Sequence, residues 1–311
     1  MTDRIGVTEP LEEIPPEERP LGRIAWLLWR DKLALGAAFF LLVVIGFAVF
    51  GPALLGDVAT SMNLRLRNTP PWSLEHGLLY VFGGDALGRS IFARIVVASQ
   101  NTLAIAGLAV PLALLVGGGL GLVAGYAGRG VGQVIMRLAD VLMSFPSLLL
   151  AVVVLYVFEP GIANLIAVLA ITRLPIYIRT TRAEVLEIRE RLFVDAARAL
   201  GAGSGRIVLR HIAPLAGSTL ITIATVDFAF VLLAESGLSF LGIGIQPPEI
   251  TWGLMVAQGR NYLSSAWWLA FFHGLMIMLT TLALNLLSAW VRVAADPVQR
   301  WRLELARDGD G

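Results

Sequence analysis

FVDAARALGAGSGRIVLRHIAP, residues 193–214, is a polar, arginine-bearing island in a chain whose other long stretches suit lipid. Before Gly201 the composition is helix-forming, and Ala196, Ala197 and Ala199 keep one surface thin enough for a partner to come close. Gly201 takes a positive φ without a Cβ clash, which ends a helix cleanly. Ser204 then suits the N-cap of a second short helix through His211, and Pro214 suits the first turn of the helix that follows. The stretch therefore reads as an elbow of helix, turn and helix between two apolar runs, and its polarity places its work outside the lipid. An amphipathic helix lying flat on a membrane is the competing reading.

Composition around the elbow sets the class. Of the 311 residues 57% are hydrophobic and 15% charged, against about one-quarter charged in soluble domains. Mean hydropathy is +0.75. Apolar runs at 33–55, 102–126, 134–158, 162–178, 214–234 and 266–291 each approach or exceed the ~20 residues that cross a bilayer. The expected fold is an all-α integral membrane protein of six transmembrane helices with both termini cytoplasmic. Charge supports that orientation. Of 24 Lys and Arg residues, five (Arg65, Arg67, Arg89, Arg94 and Arg260) fall on the outer side and Arg173 falls within a span; the other eighteen are cytoplasmic.

The expected divisions are a cytoplasmic tail at 1–32, an extracytoplasmic loop at 56–101, a five-helix core at 102–291 and a cytoplasmic tail at 292–311. Within the core lie an inner loop at 179–213, with seven arginines from Arg179 to Arg210, and a Gly/Pro-broken outer segment at 235–265. The first apolar run follows an acidic tail rather than a basic one, and Arg19, Arg23, Arg30 and Lys32 hold its start inside, which argues against a cleaved leader. Glu159, Pro160 and Gly161 turn the chain outside, and Trp267 and Trp268 anchor the last span at its outer interface. Gly117, Gly118, Gly119, Gly121 and Gly125 read as a helix-packing seam in preference to a ligand site. Arg137 and Asp140 are three apart on one helix face, close enough to pair.

Several chemistries are excluded. Without cysteine there is neither a disulfide nor a thiolate metal site, and three scattered histidines make no metal centre. The single lysine, Lys32, sits in WRDKLAL and not after a glycine-rich turn, so the chain carries no Walker-type nucleotide site. If ATP drives it, a partner binds the ATP. No cofactor is expected on this chain, and no nucleic acid.

Four stretches carry a family likeness. Asp195, Ala196, Ala197 and Gly201, with Pro214 thirteen residues on, resemble the E-A-A loop of binding-protein-dependent ABC importer permeases, aspartate standing for the usual glutamate. FGGDALGRSIFAR (82–94) resembles the signature G-T-D-x-L-G-R-D-x-x-S-R of the smaller permease of dipeptide, oligopeptide and nickel importers, through Asp85, Leu87, Gly88, Arg89 and Arg94. MRLADVLMSFP (136–146) is similar to the family's M-R-x-x-D-x-x-x-x-x-P, and ESGLSFLGIGIQPPEITWGLM (235–255) to its E-A-A-L-S-F-L-G-L-G-x-Q-P-P-x-P-S-W-G-x-M.

The resemblance implies a type I ABC importer permease fold and a cytoplasmic coupling helix that docks on an ATPase subunit through Asp195, Ala196, Ala197, Leu200, Gly201, Ile207, His211 and Pro214. It implies a heterodimer with a homologous permease, two ATPases that hold ATP and Mg, an extracytoplasmic solute-binding protein, and residence in a bacterial or archaeal cytoplasmic membrane. Peptides are the implied cargo, nickel chelates or oligosaccharides the alternative. A secondary transporter would need ion-coupling residues at the midplane, and a membrane scaffold would need no path at all.

Ionisable residues at bilayer depth cost about 2.5–3.5 kcal/mol on insertion scales, so each needs a partner, a wet cavity or an interface. Arg173 lies about 9 Å in from Arg179, and Asp227 about 20 Å along its span from Pro214, which argues against a direct pair. Arg173 either snorkels inward or lines the translocation path; Asp227 either faces that path and a substrate cation or makes an inter-helix hydrogen bond. Glu235 starts the outer segment as a structural acceptor or part of a gate. Gln246, Pro247, Pro248 and Trp252 are expected on an outer lip that a solute-binding protein touches.

Overall fold

The computed structural model describes residues 28–158 and 161–295. Most of both expected tails, with Arg19, Arg23, Asp296, Pro297, Arg300 and Arg302, and the Glu159–Pro160 pair, lie outside the described residues.

Helix α1 (Lys32–Thr60) starts where Asp31 accepts from the Leu33 and Ala34 amides at 3.1 and 3.0 Å. Three 3₁₀ turns follow before α2 (Ile91–Tyr126), and Ser90 caps α2 by accepting from Ala93 N at 3.2 Å. The second span therefore begins eleven residues before the expected Thr102, because a good cap sits upstream of the apolar run. The third expected span, 134–158, is two helices, α3 (Arg129–Met143) and α4 (Ser147–Val157), meeting at 87°. Pro146 has no N–H to continue the ladder, and Ser144 turns its hydroxyl back onto Val141 O at 2.6 Å.

Helix α5 (Ile162–Ile188) runs ten residues past the expected end at Ile178, so Arg179 and Arg182 are helical rather than part of a loop. Two short helices, α6 (Leu192–Ala199) and α7 (Ser204–Ile207), make the elbow. A π-helical turn, Val208–Ile212, joins α7 to α8 (Ala213–Phe240), and the apolar run Ser204–Phe240 continues through that turn without a break. After a non-helical turn come α9 (Trp252–Gly259) and α10 (Trp268–Ala295). Among the described residues five helices are long and apolar enough to cross a membrane, and α3–α4 makes a sixth if the bent pair is one span.

Glycine brings α2 and α5 together. A Cβ built on Gly117 would lie 2.7 Å from Tyr177 Cβ, one on Gly121 2.5 Å from Thr181 Cβ, and one on Gly125 2.6 Å from Val185 Cβ. The three sit four residues apart, one contact per helical turn, which is the small-residue seam that close packing in lipid requires. Around it, α4, α5, α8, α9 and α2 share a core through Ala106, Val110, Leu155, Leu165, Val231 and Trp252. On the flank, α1 packs on α10 through Ala37, Leu41 and Ala283, and on α2 where Gly51 admits Val96.

Candidate functional site

The elbow is built from its glycine outward. Gly201 has φ +82°, and nothing lies within 4 Å of a Cβ built there, so the demand for glycine is conformational and not steric. Around it the amides of Gly201 and Ala202 reach Arg198 O at 2.9 Å and Ala197 O at 3.0 Å, the paired bonds of a Schellman stop. Ser204 does not cap α7; Gly203 holds that position without a side-chain bond and Ser204 is the first helical residue. Pro214, lacking an N–H for the carbonyl of Arg210, falls just beyond the π turn, whose wider winding accommodates the missing bond.

Two faces result. Val194, Ile207 and Ile212 are buried against Val185, Ile188 and Ala216, with Leu122 and Tyr126 of α2 packed over them. Each such buried aliphatic is worth about 1.5–3 kcal/mol, so the elbow is fastened to the ends of α2, α5 and α8. Ile207, expected among the docking residues, belongs to this inner face. On the other face Leu192, Leu200 and Leu209 are 86%, 89% and 71% exposed. Asp195, Ala196, Gly201 and Pro214 are exposed with them, while Ala197 and His211 are half-buried. Asp195 accepts from Arg198 at 3.1 Å, and Arg189 reaches Gly125 O at 3.1 Å. The outward face is thus apolar-tipped and basic, with Arg198, Arg206 and Arg210 exposed beside the three leucines.

Deeper in, Arg173 and Asp227 do pair. Arg173 Nε donates to Asp227 Oδ2 at 3.1 Å, and its Nη2 to Oδ1. They sit at one depth because α5 extends to Ile188 and does not end near Ile178: Arg173 is fifteen residues from Ile188 and Asp227 fourteen from Ala213, about 21–23 Å along two antiparallel helices. Phe230 lies 4.2 Å under the Arg173 guanidinium, and the buried Tyr177 sits beside the same carboxylate. Asp140 pairs with Arg179 at 2.5 Å and more distantly with Arg137 at 4.0 Å.

On the far side Glu235 is buried inside α8 and accepts from Ser239 Oγ at 2.8 Å and Ser236 Oγ at 3.3 Å. Ser239 Oγ in turn accepts from Ile245 N at 3.2 Å, which ties the turn after α8 back onto it. Gln246, Pro247 and Pro248 are exposed there, and Asn101 holds the turn by donating to Glu249 Oε2 at 2.9 Å and Ile250 O at 3.0 Å. Trp252 is not on the lip. It is fully buried, its Nε1 donating to Ile95 O at 2.9 Å and its amide to Thr102 Oγ1 at 3.1 Å. Its aromatic character marked an interface in sequence, but its indole is what seats α9 against α2.

The Asp85 motif is a second fastening that sequence pattern located without its chemistry. Oδ1 accepts from the Leu87 and Arg89 amides at 2.8 and 2.9 Å, and Oδ2 from Arg89 Nε at 2.7 Å, with Arg94 3.6 Å away. Gly88, at φ +74°, is where a Cβ would collide with Asn63 O. Nearby, burial and then the Asp85 charge push the Tyr80 hydroxyl above its ordinary range, and that hydroxyl donates to Gly88 O at 3.0 Å.

Residues 117–300, which take in the glycine seam, the elbow and the outer turn, match the model of the binding-protein-dependent transport system inner membrane component. The chain belongs to this family. Its members are permease subunits of ABC importers, and the ATPase activity lies in separate subunits. The permease is 38% identical over 268 residues (86% of this chain, 88% of the relative) to the di/tripeptide transport system permease protein DppC of Pseudomonas aeruginosa (strain UCBPP-PA14). It is 36% identical over 288 residues (91% and 93%) to the dipeptide transport system permease protein DppC of Alkalihalophilus pseudofirmus. It is 38% identical over 269 residues (86% and 87%) to the glutathione transport system permease protein GsiD of Escherichia coli O6:K15:H31. In fold the permease is similar to an inward-facing structure of the MetNI methionine ABC transporter, with TM-score 0.51 and 18% identity over 67% of this chain and 95% of that one.

Proposed function

We propose that this permease passes di- or oligopeptides across a bacterial or archaeal cytoplasmic membrane, receiving them from an extracytoplasmic solute-binding protein. It pairs with a homologous second permease, and two ATPase subunits that hold ATP and Mg drive it from the cytoplasmic side, where both of its termini lie. The observation that carries this reading is the elbow, fixed to the ends of α2, α5 and α8 by buried aliphatics while Leu192, Leu200 and Leu209 stand exposed. A motion imposed on Asp195, Ala196 and Leu200 by a partner travels into α5 and α8 as into a lever. Relatives named for di/tripeptides, dipeptides and glutathione support a cargo with peptide-like amides and charged ends.

On this reading Arg173 and Asp227 reach the path as a neutralised pair, Glu235 steadies its outer end, and Gln246, Pro247 and Pro248 form the lip on which the binding protein lands. The test is reconstitution of the permease with its sister permease and ATPases in proteoliposomes. Peptide-loaded binding protein is expected to stimulate ATP hydrolysis and uptake of a labelled dipeptide. Uptake of a nickel chelate or an oligosaccharide in its place would reassign the cargo, and failure to recover any ATPase subunit with the permease would end the importer reading.

A further inference from the structure

Asp140 lies one helical turn before the 87° break between α3 and α4, and its partner Arg179 lies one turn beyond Pro175 in α5. Since α3 and α5 run antiparallel, Ser144 and Pro175 fall on the same side of the ion pair, each about one turn from it. Both helices are thus weakened at one level. Pro175 withholds the N–H that Ile171 O would accept, and Pro146 interrupts the other span.

Packing changes near the same level, although Tyr177 of α5, two residues beyond Pro175, still belongs to the central core. Beyond the break, Ala151 and Leu155 of α4 and Leu165, Val168 and Leu169 of α5 sit in the central core. On the elbow side, Ile135 and Ala139 of α3 pack on Ile178 of α5 and Ala124 of α2, with Met136 and Leu174 against them. Further along α5, Val185 and Ile188 join the elbow cluster. The inner half of α5 therefore touches α3 on one side and the elbow at its end. The apolar contact to α3 runs through Ile135, Met136, Leu174 and Ile178, and among the described residues the Arg179–Asp140 hydrogen bond is a polar link between the two helices' side chains.

We propose that Arg179 and Asp140 are positioning residues for transport, a strut that makes α3 follow the inner half of α5 when the elbow moves, so that the α3–α4 break opens and closes with the ATPase cycle. The inference rests on the importer reading given above. With 45% and 42% of the two side chains uncovered, the pair adds little static stability. Its worth lies in carrying displacement. Arg137, 86% exposed and 4.0 Å from the second carboxylate oxygen, is too loosely held to replace Arg179.

The experiment uses the full reconstituted complex and compares dipeptide import per ATP hydrolysed for D140N, R179Q and the exchanged pair D140R/R179D. Both single variants are expected to assemble and to hydrolyse ATP in response to loaded binding protein, with import per ATP down about tenfold, within the span of site-to-site coupling free energies. The exchanged pair is expected to restore most of that loss while the unfolding temperatures of all three variants stay at the wild-type value, a combination that a merely structural role would not give. As an independent readout, M136C and L174C in this cysteine-free chain should cross-link with a yield that varies with nucleotide in a different way once D140N is added. The strut is overturned if import per ATP is unchanged in D140N and R179Q, if assembly is lost in both and the exchange restores nothing, or if the cross-link yields ignore D140N. A wild-type complex whose ATP hydrolysis ignores peptide-loaded binding protein counts instead against the importer reading, whatever the variants do.

Discussion

Arg173 of α5 holds both carboxylate oxygens of Asp227 of α8 from the same depth in the bundle. Two helices joined at one end by the elbow are thereby joined again about 21–23 Å further along, so the hairpin is clamped on both sides of Pro175. Removing one partner strands the other: D227A leaves a guanidinium 17% exposed over the Phe230 ring without its counter-charge. We expect D227A and R173A each to destabilise the detergent-solubilised permease by about 3–5 kcal/mol. The apolar double replacement R173M/D227L should lie closer to wild type than either. Thermal unfolding followed by tryptophan fluorescence checks the order, and a double variant worse than both singles would contradict it.

Gly201 tests the elbow at its least crowded point. A side chain there meets no atom within 4 Å, so the whole penalty is the positive φ of +82°, about 1–2 kcal/mol for an L-residue. G201A should therefore leave the spans folded while shifting the angle between α6 and α7. The expected outcome is a permease that unfolds at nearly the wild-type temperature but recovers less ATPase subunit on co-purification. G201D, with a charge added beside Leu200, should recover less still. Intact co-purification and intact peptide-stimulated ATP hydrolysis in G201D would remove the elbow from the coupling route.

Trp252 and Gln246 separate seating from docking. Trp252 is fully buried and bonded to Ile95 O, so W252A should cost about 3–5 kcal/mol of stability. W252F, which keeps most of the volume and loses the indole N–H, should cost about 1 kcal/mol. Gln246 is exposed and donates to Gly242 O at 3.0 Å. Q246A should leave unfolding unchanged and weaken capture of the solute-binding protein by the reconstituted complex. A binding-protein affinity that responds to W252F at unchanged stability, and not to Q246A, would put the contact where this fold does not.

Much of this fold is legible in the chain because apolar run length and arginine placement are properties of composition, and a bilayer reads both directly. The glycine seam was legible for the same reason: Gly117, Gly121 and Gly125 recur at one helical turn. What escaped were the features set by a neighbour. Arg179 looks like the end of a span until Asp140 of another helix accepts a hydrogen bond from it at 2.5 Å, and once α5 is cut short there, the Arg173–Asp227 pair is placed at unequal depths. Ile207 and Leu200 are both aliphatic and seven residues apart, yet one is 1% and the other 89% exposed. That difference depends on how α7 folds back on α5, which no local pattern encodes. Trp252 likewise declares an amphipathic ring but not which way it faces.

Asp85 offers the sharpest test of how the outer segment is held. Its two oxygens take two backbone amides and one guanidinium, and they stand 3.6 Å from Arg94, which is only 2% exposed. Through this carboxylate, residues 85–89 curl into a turn. That turn lets Ser90 cap α2 and lets Gly83 lie against the Thr69 and Pro70 carbonyls. D85A would leave Arg94 buried without its counter-charge and two amides without acceptors, a loss of about 3–5 kcal/mol. D85N keeps one acceptor oxygen and the side-chain volume but not the charge, so it should fall between D85A and wild type. Because α2 is anchored independently by its packing on α5, the damage should stay local at first. Limited proteolysis of right-side-out vesicles should cut D85A within residues 61–90 at temperatures where α1 and α2 remain protease-resistant, while wild type stays uncut. If D85A instead loses the whole bundle at one temperature with no earlier cleavage, the outer segment and the spans fold as a single unit, and the fastening assigned to Asp85 is shared by contacts elsewhere in the loop.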